Sequence, residues 1–136
     1  MTMASEYLET RVATATPYQL HLMVVDAALR STRRGLEALA EGRWEDMEAA
    51  FSRSRDCLTE LVGGLQQDIA PALAEAQKGL FLFAYRSLVE GELRRDRKRI
   101  DAALRILERH REAWLELGER LPRNPVPQPH AREWLG

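Results

Sequence analysis

Apolar residues recur with the period of an α-helix in four stretches of this sequence. The second stretch is the most regular, because Trp44, Phe51, Leu58 and Leu65 follow one another at intervals of seven residues. Nowhere does the sequence alternate apolar and polar residues as a half-buried strand does. The pattern therefore predicts an all-α protein.

Turn signals separate the four stretches. Thr16 before Pro17 is typical of a helix start, since threonine caps the first turn and proline tolerates the first helical position. Gly42 marks the end of that helix. A third helix is expected to open at Asp68 and Pro71, and a tight turn around Asp96 precedes a fourth. Connections this short make neighbouring helices antiparallel, so we predict an up-down-up-down four-helix bundle.

The bundle is expected to span residues 16–121. Residues 1–15 are expected to form an extended N-terminal segment before it. Residues 122–136 contain four prolines within PRNPVPQPH, which exclude helix and favour an extended tail. With 136 residues in total, the chain is expected to form one folded domain.

The charge balance argues against two classes of partner. The chain carries 20 lysine and arginine residues against 21 aspartate and glutamate residues, a formal net charge of −1. Such a chain has no overall field that attracts nucleic acid or an anionic membrane surface. The single cysteine suits a reducing compartment, and no signal peptide or membrane span is visible, so a cytoplasmic location is expected.

Two helices carry more apolar residues than one core face buries. The first reads LHLMVVDAAL at residues 20–29, and the third reads GLFLFAYRSLV at residues 79–89. A helix in a bundle contacts two neighbours, so a wide apolar arc explains part of this excess. Two such helices in one small bundle favour an apolar groove that binds another protein.

No pattern of catalytic or metal-binding residues stands out. His21, His110 and His130 lack the glutamate three residues earlier that di-metal helical bundles use, so neither a metal nor another cofactor is expected. Cys57, next to the heptad residue Leu58, is expected to be a small core thiol rather than a nucleophile. We therefore predict that the chain is not an enzyme.

One alternative stays open at this point. The segment RILERH places Arg105 and His110 at an Arg-x4-His spacing, which resembles the ribonuclease motif of the HEPN helical-bundle family. On that hypothesis the chain is an RNA-binding or RNA-cleaving module. The competing interpretation places both side chains on a solvated face of the fourth helix.

The N-terminal part of the sequence resembles one family more specifically. Its pattern Y-x4-V-x-T-A-x-P-x2-L-x-L-M-x2-D is similar to the hallmark of the flagellin export chaperones of the FliS family. The residues that form it are Tyr7, Val12, Thr14, Ala15, Pro17, Leu20, Leu22, Met23 and Asp26. The segment LFLFAYRSLVEGELRRD at residues 80–96 resembles that family's third helix, and Arg111 and Trp114 resemble its Arg-x2-Trp near the end. The resemblance covers about residues 7–118.

This resemblance implies a use for the apolar excess. Members of the family are cytoplasmic four-helix bundles that bind the disordered C-terminal segment of newly made flagellin. They prevent premature polymerisation and deliver flagellin to the flagellar type III export gate. A segment that folds as it binds needs a large apolar groove. We therefore expect flagellin as the partner, the export gate as partner of the loaded chaperone, and a monomer or weak homodimer.

Candidate partner-binding residues follow from the resemblance and the helical pattern. In this family the N-terminal segment lies near the groove and acts as a lid, which nominates Tyr7, Leu8 and Val12. On the third helix, Leu82 and Tyr85 are expected to face the partner. The buried positions expected beside them are Leu80, Ala84 and Leu88, with Trp114 as a core anchor on the fourth helix.

The first helix has two candidate faces. One carries larger residues such as Val25 and Leu29, and the other carries smaller residues such as Ser31 and Gly35. Spacing alone does not distinguish the core face from the partner face. The candidates for partner contact on this helix are Pro17, Leu20, Val24, Ala27 and Ala28.

Several positions depart from the family's usual pattern. Val25 and Ala27 stand where the family commonly has tyrosine and glycine, and Phe81 and Phe83 replace tyrosines of the third helix. Glu92 stands where an asparagine is expected. Hydroxyl groups are lost while apolar bulk is kept, so a groove is still expected without the hydrogen bonds of those tyrosines. The tail that ends in HAREWLG is an addition to the family's plan.

Overall fold

The computed structural model describes residues 3–64 and 71–121. Within these ranges a short N-terminal helix precedes four long ones. They are α1 (Met3–Thr14), α2 (Pro17–Glu41), α3 (Trp44–Val62), α4 (Pro71–Arg94) and α5 (Arg97–Arg120). The described residues contain no strand, so the prediction of an all-α protein is confirmed.

Local hydrogen bonds explain where the helices begin and end. Thr16 Oγ1 accepts a hydrogen bond from the Gln19 N–H at 3.1 Å, and Gln19 Oε1 accepts one from the Thr16 N–H at 3.0 Å. This capping box satisfies two amide donors at the start of α2. Gly42, with φ of 71°, ends α2 in the left-handed conformation that glycine adopts without steric cost. Asp96 caps α5 by accepting from the Lys98 N–H at 3.0 Å.

The sequence analysis predicts an extended N-terminal segment, but the structure has helix α1 there. Its sequence MASEYLETRVAT contains no glycine or proline, and alanine, glutamate, leucine and arginine are strong helix formers. The hydroxyls of Thr10 and Thr14 each donate to the carbonyl four residues earlier at 2.9 Å. The helix ends before Thr16, whose extended backbone suits the proline that follows it. The extended prediction is wrong because the lack of a regular apolar stripe does not prevent a helix.

The four long helices pack in a ring around one core. Helices α2 and α4 each pack against both α3 and α5. Between α2 and α5, Tyr18 contacts Trp114 and His21 contacts His110. The ring places α2 and α4 on opposite sides of the core.

Each long helix contributes one stripe to this core. The largest completely buried apolar side chains are Phe51, Leu58, Leu61, Phe81, Leu88, Ile100, Leu107 and Trp114. The prediction that Trp114 is a core anchor is confirmed. On α2 the core takes residues from both candidate faces, Val25 and Leu29 from one and Ala28 from the other.

Helices α2 and α3 approach closely around Gly35. A Cβ atom at this position would overlap the buried ring of Phe51. One turn away, the Ser31 and Thr32 hydroxyls form hydrogen bonds with the Ser54 hydroxyl at 2.7 Å and 3.0 Å. These hydrogen bonds satisfy the buried polar groups. The small residues in this part of α2 therefore serve contact with a neighbouring helix.

Two further expectations concern the rest of the chain. In the ranges that the structure describes, no helix combines the length and apolarity needed to cross a membrane. The expected proline-rich tail, residues 122–136, lies outside the described residues, as does Asp68.

Candidate partner-binding site

Most of the exposed large apolar side chains in the described ranges lie on α4. Four of them form what we call the α4 apolar surface: Leu80, Leu82, Phe83 and Tyr85, with exposed fractions of 45%, 45%, 55% and 36%. Phe81, in the middle of the same run, is completely buried. Because successive helical residues point about 100° apart, an unbroken apolar run covers every side of a helix. The run therefore supplies both a core face and an exposed apolar surface.

The α4 apolar surface has two flanks. Leu82 and Tyr85 share a stripe with Glu92, whose carboxylate pairs with an arginine of α3. Phe83 shares a stripe with Glu90, whose carboxylate pairs with an arginine of α5. One flank thus borders α3 and the other borders α5.

The positions expected for α4 are partly correct. Leu82 and Tyr85 are exposed, and Ala84 and Leu88 are completely buried, as the sequence analysis predicts. Leu80 is exposed rather than inside, and this prediction is wrong. Phe81 lies seven residues before Leu88 and three before Ala84, so it continues their stripe and takes the core position instead of Leu80.

The α2 candidates are less accessible than those of α4. Pro17, Leu20, Val24 and Ala27 are half-buried, and Val24 packs against the core. Ala28 is completely buried, which removes it from the candidate surface of the free chain. The spacing did not reveal this, because only the packing of α3 and α5 decides which arc of α2 faces inward.

The remaining candidates lie on α1. Tyr7, Leu8 and Val12 belong to this helix, and the structure does not describe their side chains. Only Ala15 and Thr16 separate α1 from α2. The C-terminal end of α1 therefore lies next to the start of α2.

The two residues of the Arg-x2-Trp pattern meet α2 at Asp26, which belongs to the N-terminal pattern, and at Tyr18, which does not. The Asp26 carboxylate accepts a hydrogen bond from the Arg111 guanidinium at 2.6 Å. The Tyr18 ring stacks on Trp114 with centroids 5.3 Å apart. The Tyr18 hydroxyl donates to the Trp114 carbonyl, and the Trp114 indole N–H donates to the Tyr18 carbonyl, both at 3.1 Å. These residues hold the first turns of α2 against the last turns of α5, so Asp26, Arg111 and Trp114 of the two patterns serve the packing of the bundle.

Next to this contact lies a buried histidine pair that the sequence analysis missed. The Nε2 atoms of His21 and His110 are 2.6 Å apart, so one ring donates to the other. Burial, with a smaller effect of the neighbouring His110, lowers the pKa of His21 to about 3. Burial lowers the pKa of His110 to about 4. Both rings are therefore neutral at neutral pH, and neither Nδ1 atom has a hydrogen-bond partner in the described part of the chain.

The burial of His110 argues against the ribonuclease alternative. His110 is 1% exposed, whereas Arg105 is exposed on α5. Five helical residues turn the side-chain direction by about 140°, so this spacing points the two side chains to different sides of the helix. A catalytic acid or base must reach the substrate, and His110 does not reach the surface. The expectation that both residues lie on a solvated face is also wrong for His110.

Two further observations on the described residues bear on metal binding and on nucleophilic chemistry. Over residues 3–64 and 71–121, no three of the histidine, cysteine, aspartate and glutamate side chains are grouped to hold a metal ion. Cys57 is half-buried and packs against the core. Burial and the nearby Asp56 carboxylate raise the pKa of the Cys57 thiol, which keeps it protonated and weakly nucleophilic.

Comparison with known families agrees with this arrangement. The chain matches the family model described as flagellar protein FliS over residues 1–121, a range that includes all five helices. No curated protein matches the chain. FliS proteins are chaperones of flagellar biogenesis. Because the match covers most of the sequence and the helices pack as a bundle, the chain belongs to the FliS family of flagellar export chaperones.

Proposed function

We propose that this protein binds the disordered C-terminal segment of flagellin, prevents its premature polymerisation and delivers it to the flagellar type III export apparatus. The α4 apolar surface carries this proposal, since several exposed large apolar side chains concentrated on one helix mark a candidate site for binding another protein. Membership of a chaperone family supports it independently.

The arrangement of the bundle favours a partner that is not compact. We propose an antiparallel up-down-up-down bundle over residues 16–121, in which α2 and α4 lie on opposite sides of the core. Leu20 and Val24 on α2 are then separated from Leu82 and Tyr85 on α4 by a whole helix. Helices pack 8–10 Å apart, so a path from α2 over α3 to α4 is about 20 Å long. A disordered segment that wraps around the bundle spans this path with about six extended residues.

The apolar character of the site matches the energetics of coupled folding and binding. Ordering a disordered segment consumes about 2–5 kcal/mol or more of the interaction energy. Burial of apolar area contributes about 25 cal/mol of favourable free energy per Å², so several large side chains have to be covered to give a stable complex. Leu82 and Tyr85 provide such side chains on the flank of α4 that borders α3.

The other parts of the proposal concern the ends of the chain and its surroundings. We propose that residues 1–15, with Tyr7, Leu8 and Val12, act as a lid near the start of α2. The proposed role needs no catalysis, metal or cofactor, and its partners are proteins rather than nucleic acid or membrane. It places the chain in the cytoplasm as a monomer or weak homodimer.

Calorimetric titration with the C-terminal segment of flagellin from the same organism tests the proposal. We expect one-to-one binding with a large negative heat-capacity change, the signature of apolar burial. In Leu82→Glu the affinity is expected to fall at least 100-fold, because a carboxylate would have to be desolvated in the complex. Leu93→Glu is the matched control, since Leu93 is 79% exposed on the same helix but outside the α4 apolar surface.

Circular dichroism of each variant separates loss of binding from loss of folding. Unchanged affinity in a folded Leu82→Glu protein would remove Leu82 from the site. A folded wild-type protein that gives neither heat nor a complex would refute flagellin as the partner.

A further inference from the structure

A cleft lies between α4 and α5, on the α5 flank of the α4 apolar surface. It has a volume of about 480 Å³. Phe83, the most exposed member of the α4 apolar surface, lines it. The other residues that line it are Arg86, Ser87 and Glu90 from α4 and Lys98, Arg99 and Ala102 from α5. The cleft therefore places an uncovered aromatic ring among charged side chains.

Cations outnumber carboxylates in this cleft. Arg86, Lys98 and Arg99 stand against Glu90, which Arg99 already pairs with. Arg86 and Lys98 are exposed, and neither forms an ion pair with another residue of the ranges 3–64 and 71–121. The whole chain has a formal net charge of −1, so this excess of positive charge is local. A carboxylate from outside the described residues would complement it.

Two more cations continue the same side of α5. Arg105 and Arg109 follow Ala102 by three and seven residues, the spacing that keeps side chains on one face of a helix. Both are exposed, and neither belongs to an ion pair within the described part of the chain. From Lys98 to Arg109 this stripe is about 16 Å long at 1.5 Å per residue, which is about three helical turns.

A second apolar side chain lies beside Phe83 on the same side of α4. Leu80, Phe83 and Ser87 are spaced by three and four residues, so Leu80 shares the side that lines the cleft. Leu80 is 45% exposed. Phe81 contacts His110 of α5, so α5 runs alongside this stretch of α4. The two exposed apolar side chains are therefore flanked by the cations of α5.

We propose that this face binds an acidic amphipathic helix of a partner protein. The face, which we call the α4–α5 surface, comprises Leu80, Phe83, Arg86, Lys98, Ala102, Arg105 and Arg109. The apolar stripe of the partner helix covers Leu80 and Phe83, and its carboxylates pair with the cations on either side. The inference goes beyond the proposed function, because the flagellin segment is proposed to cover Leu82 and Tyr85 on the opposite flank of α4.

A second cleft, between α2 and α3, lacks this combination. It has a volume of about 320 Å³ and is lined by Arg34, Arg43, Arg53, Glu37, Asp46 and two alanines. Arg43 pairs with Asp46. No large exposed apolar side chain is among its lining residues. Arg34 and Arg53 therefore offer charge without an apolar anchor, which makes them suitable for a control.

The apolar part of the α4–α5 surface favours a protein over a nucleic acid. Proteins that bind single strands stack successive bases on aromatic rings along a basic groove. This surface has one ring, Phe83, and its apolar neighbour Leu80 is aliphatic and does not stack a base. Burial of both side chains against an apolar stripe is favourable, while the charge pairs set specificity.

Fluorescence anisotropy with a labelled synthetic peptide tests this proposal on the full-length chain. The probe is a helical peptide of glutamate and leucine, about 14 residues long, with leucine at every third or fourth position. We expect it to bind. The affinity should fall about 10-fold when salt is raised from about 50 mM to about 300 mM, because screening weakens exposed charge pairs. The matching peptide with lysine in place of glutamate is expected not to bind.

Variants separate the charges of the surface from its apolar part. Arg86→Glu/Lys98→Glu should weaken the acidic peptide at least about 10-fold and create affinity for the lysine peptide. Phe83→Ser should also weaken the acidic peptide, because an apolar anchor is lost. Arg34→Glu/Arg53→Glu is the matched control, since it makes the same change of charge at the α2–α3 cleft and should leave the affinity within about 2-fold. Circular dichroism of each variant reports folding.

Three outcomes would overturn the proposal. One is a folded wild-type chain that does not bind the acidic peptide. Another is a control variant that weakens the peptide as much as Arg86→Glu/Lys98→Glu does, which would show a general effect of net charge. The third is binding of a single-stranded oligouridylate, but not of the acidic peptide, that the same variant abolishes. Leu82→Glu, expected to weaken flagellin binding, should leave the acidic peptide bound, so the two proposals fail separately.

Discussion

Acidification is expected to destabilise this bundle through the buried pair of His21 and His110. Each histidine has an ordinary pKa of 6.5 in the unfolded chain, and folding lowers these values to about 3 and about 4. The unfolded state therefore binds more protons than the folded state once the pH falls below 6.5. The stability that the neutral pair provides is complete above pH 6.5 and is lost as the pH falls through 6.5 toward the folded pKa values.

The expected loss is large compared with the stability of a small domain. One pKa unit corresponds to about 1.4 kcal/mol, so each histidine costs about 2 kcal/mol when the pH falls from 7 to 5. Together the two histidines lower the free energy of unfolding by about 4 kcal/mol, out of a total of about 5–15 kcal/mol for a typical domain.

Urea denaturation followed by circular dichroism at pH 7, 6 and 5 measures this loss. The double variant His21→Leu/His110→Leu should lose most of the pH dependence, because apolar residues of similar size replace both partners. A single His21→Leu change should instead cost about 1–3 kcal/mol at pH 7, since it leaves His110 Nε2 without its partner. His130→Ala, a change outside the described residues, controls for the third histidine.

An equal free energy of unfolding of the wild-type protein at pH 7 and pH 5 would refute the destabilising effect of the buried histidine pair. A double variant that keeps the wild-type pH dependence would also refute it and would assign the effect to carboxylates.

Two further predictions concern packing and use the same denaturation assay. Gly35→Ala should destabilise the protein by about 1–3 kcal/mol because the new methyl group meets the buried Phe51 ring, whereas Gly79→Ala, with nothing within 4 Å of its Cβ, should stabilise α4 by about 0.5–1 kcal/mol. Equal effects of the two changes would contradict the close approach of α2 and α3. Trp114→Ala should cost about 3–5 kcal/mol through the cavity left in the core, and a smaller loss than Tyr85→Ala would show that Trp114 is not the anchor of this end of the bundle.

The helix boundaries were accessible from the sequence because the residues that set them act locally. Thr16 with Pro17, Gly42 and Asp96 each determine the backbone within one turn, and the structure has helix ends at all three places. The exception is α1, where helix-forming residues without a regular apolar stripe gave no periodic signal. Local propensity, rather than burial pattern, was the informative feature there.

The candidate site was only partly accessible from the sequence. The apolar excess on α4 was visible, and Leu82 and Tyr85 are exposed. The sequence did not reveal that Phe81, rather than Leu80, occupies the core position. Neighbouring residues differ by only about 100° in direction, and a helix packed against two others has a wide buried arc. The burial of Ala28 was missed for the same reason.

By itself, the sequence determined that the chain is helical, where its long helices begin and end, that it has apolar residues beyond the needs of one core face, and which family it resembles. These properties depend on periodicity, capping and residue identity, which act over a few residues. Only the tertiary structure decided that Asp26 meets Arg111, that Tyr18 stacks on Trp114, and that His110 lies buried against His21. These pairs join α2 to α5, 85 to 96 residues apart in the chain, and they form only when the packing angle and rotation of both helices are set.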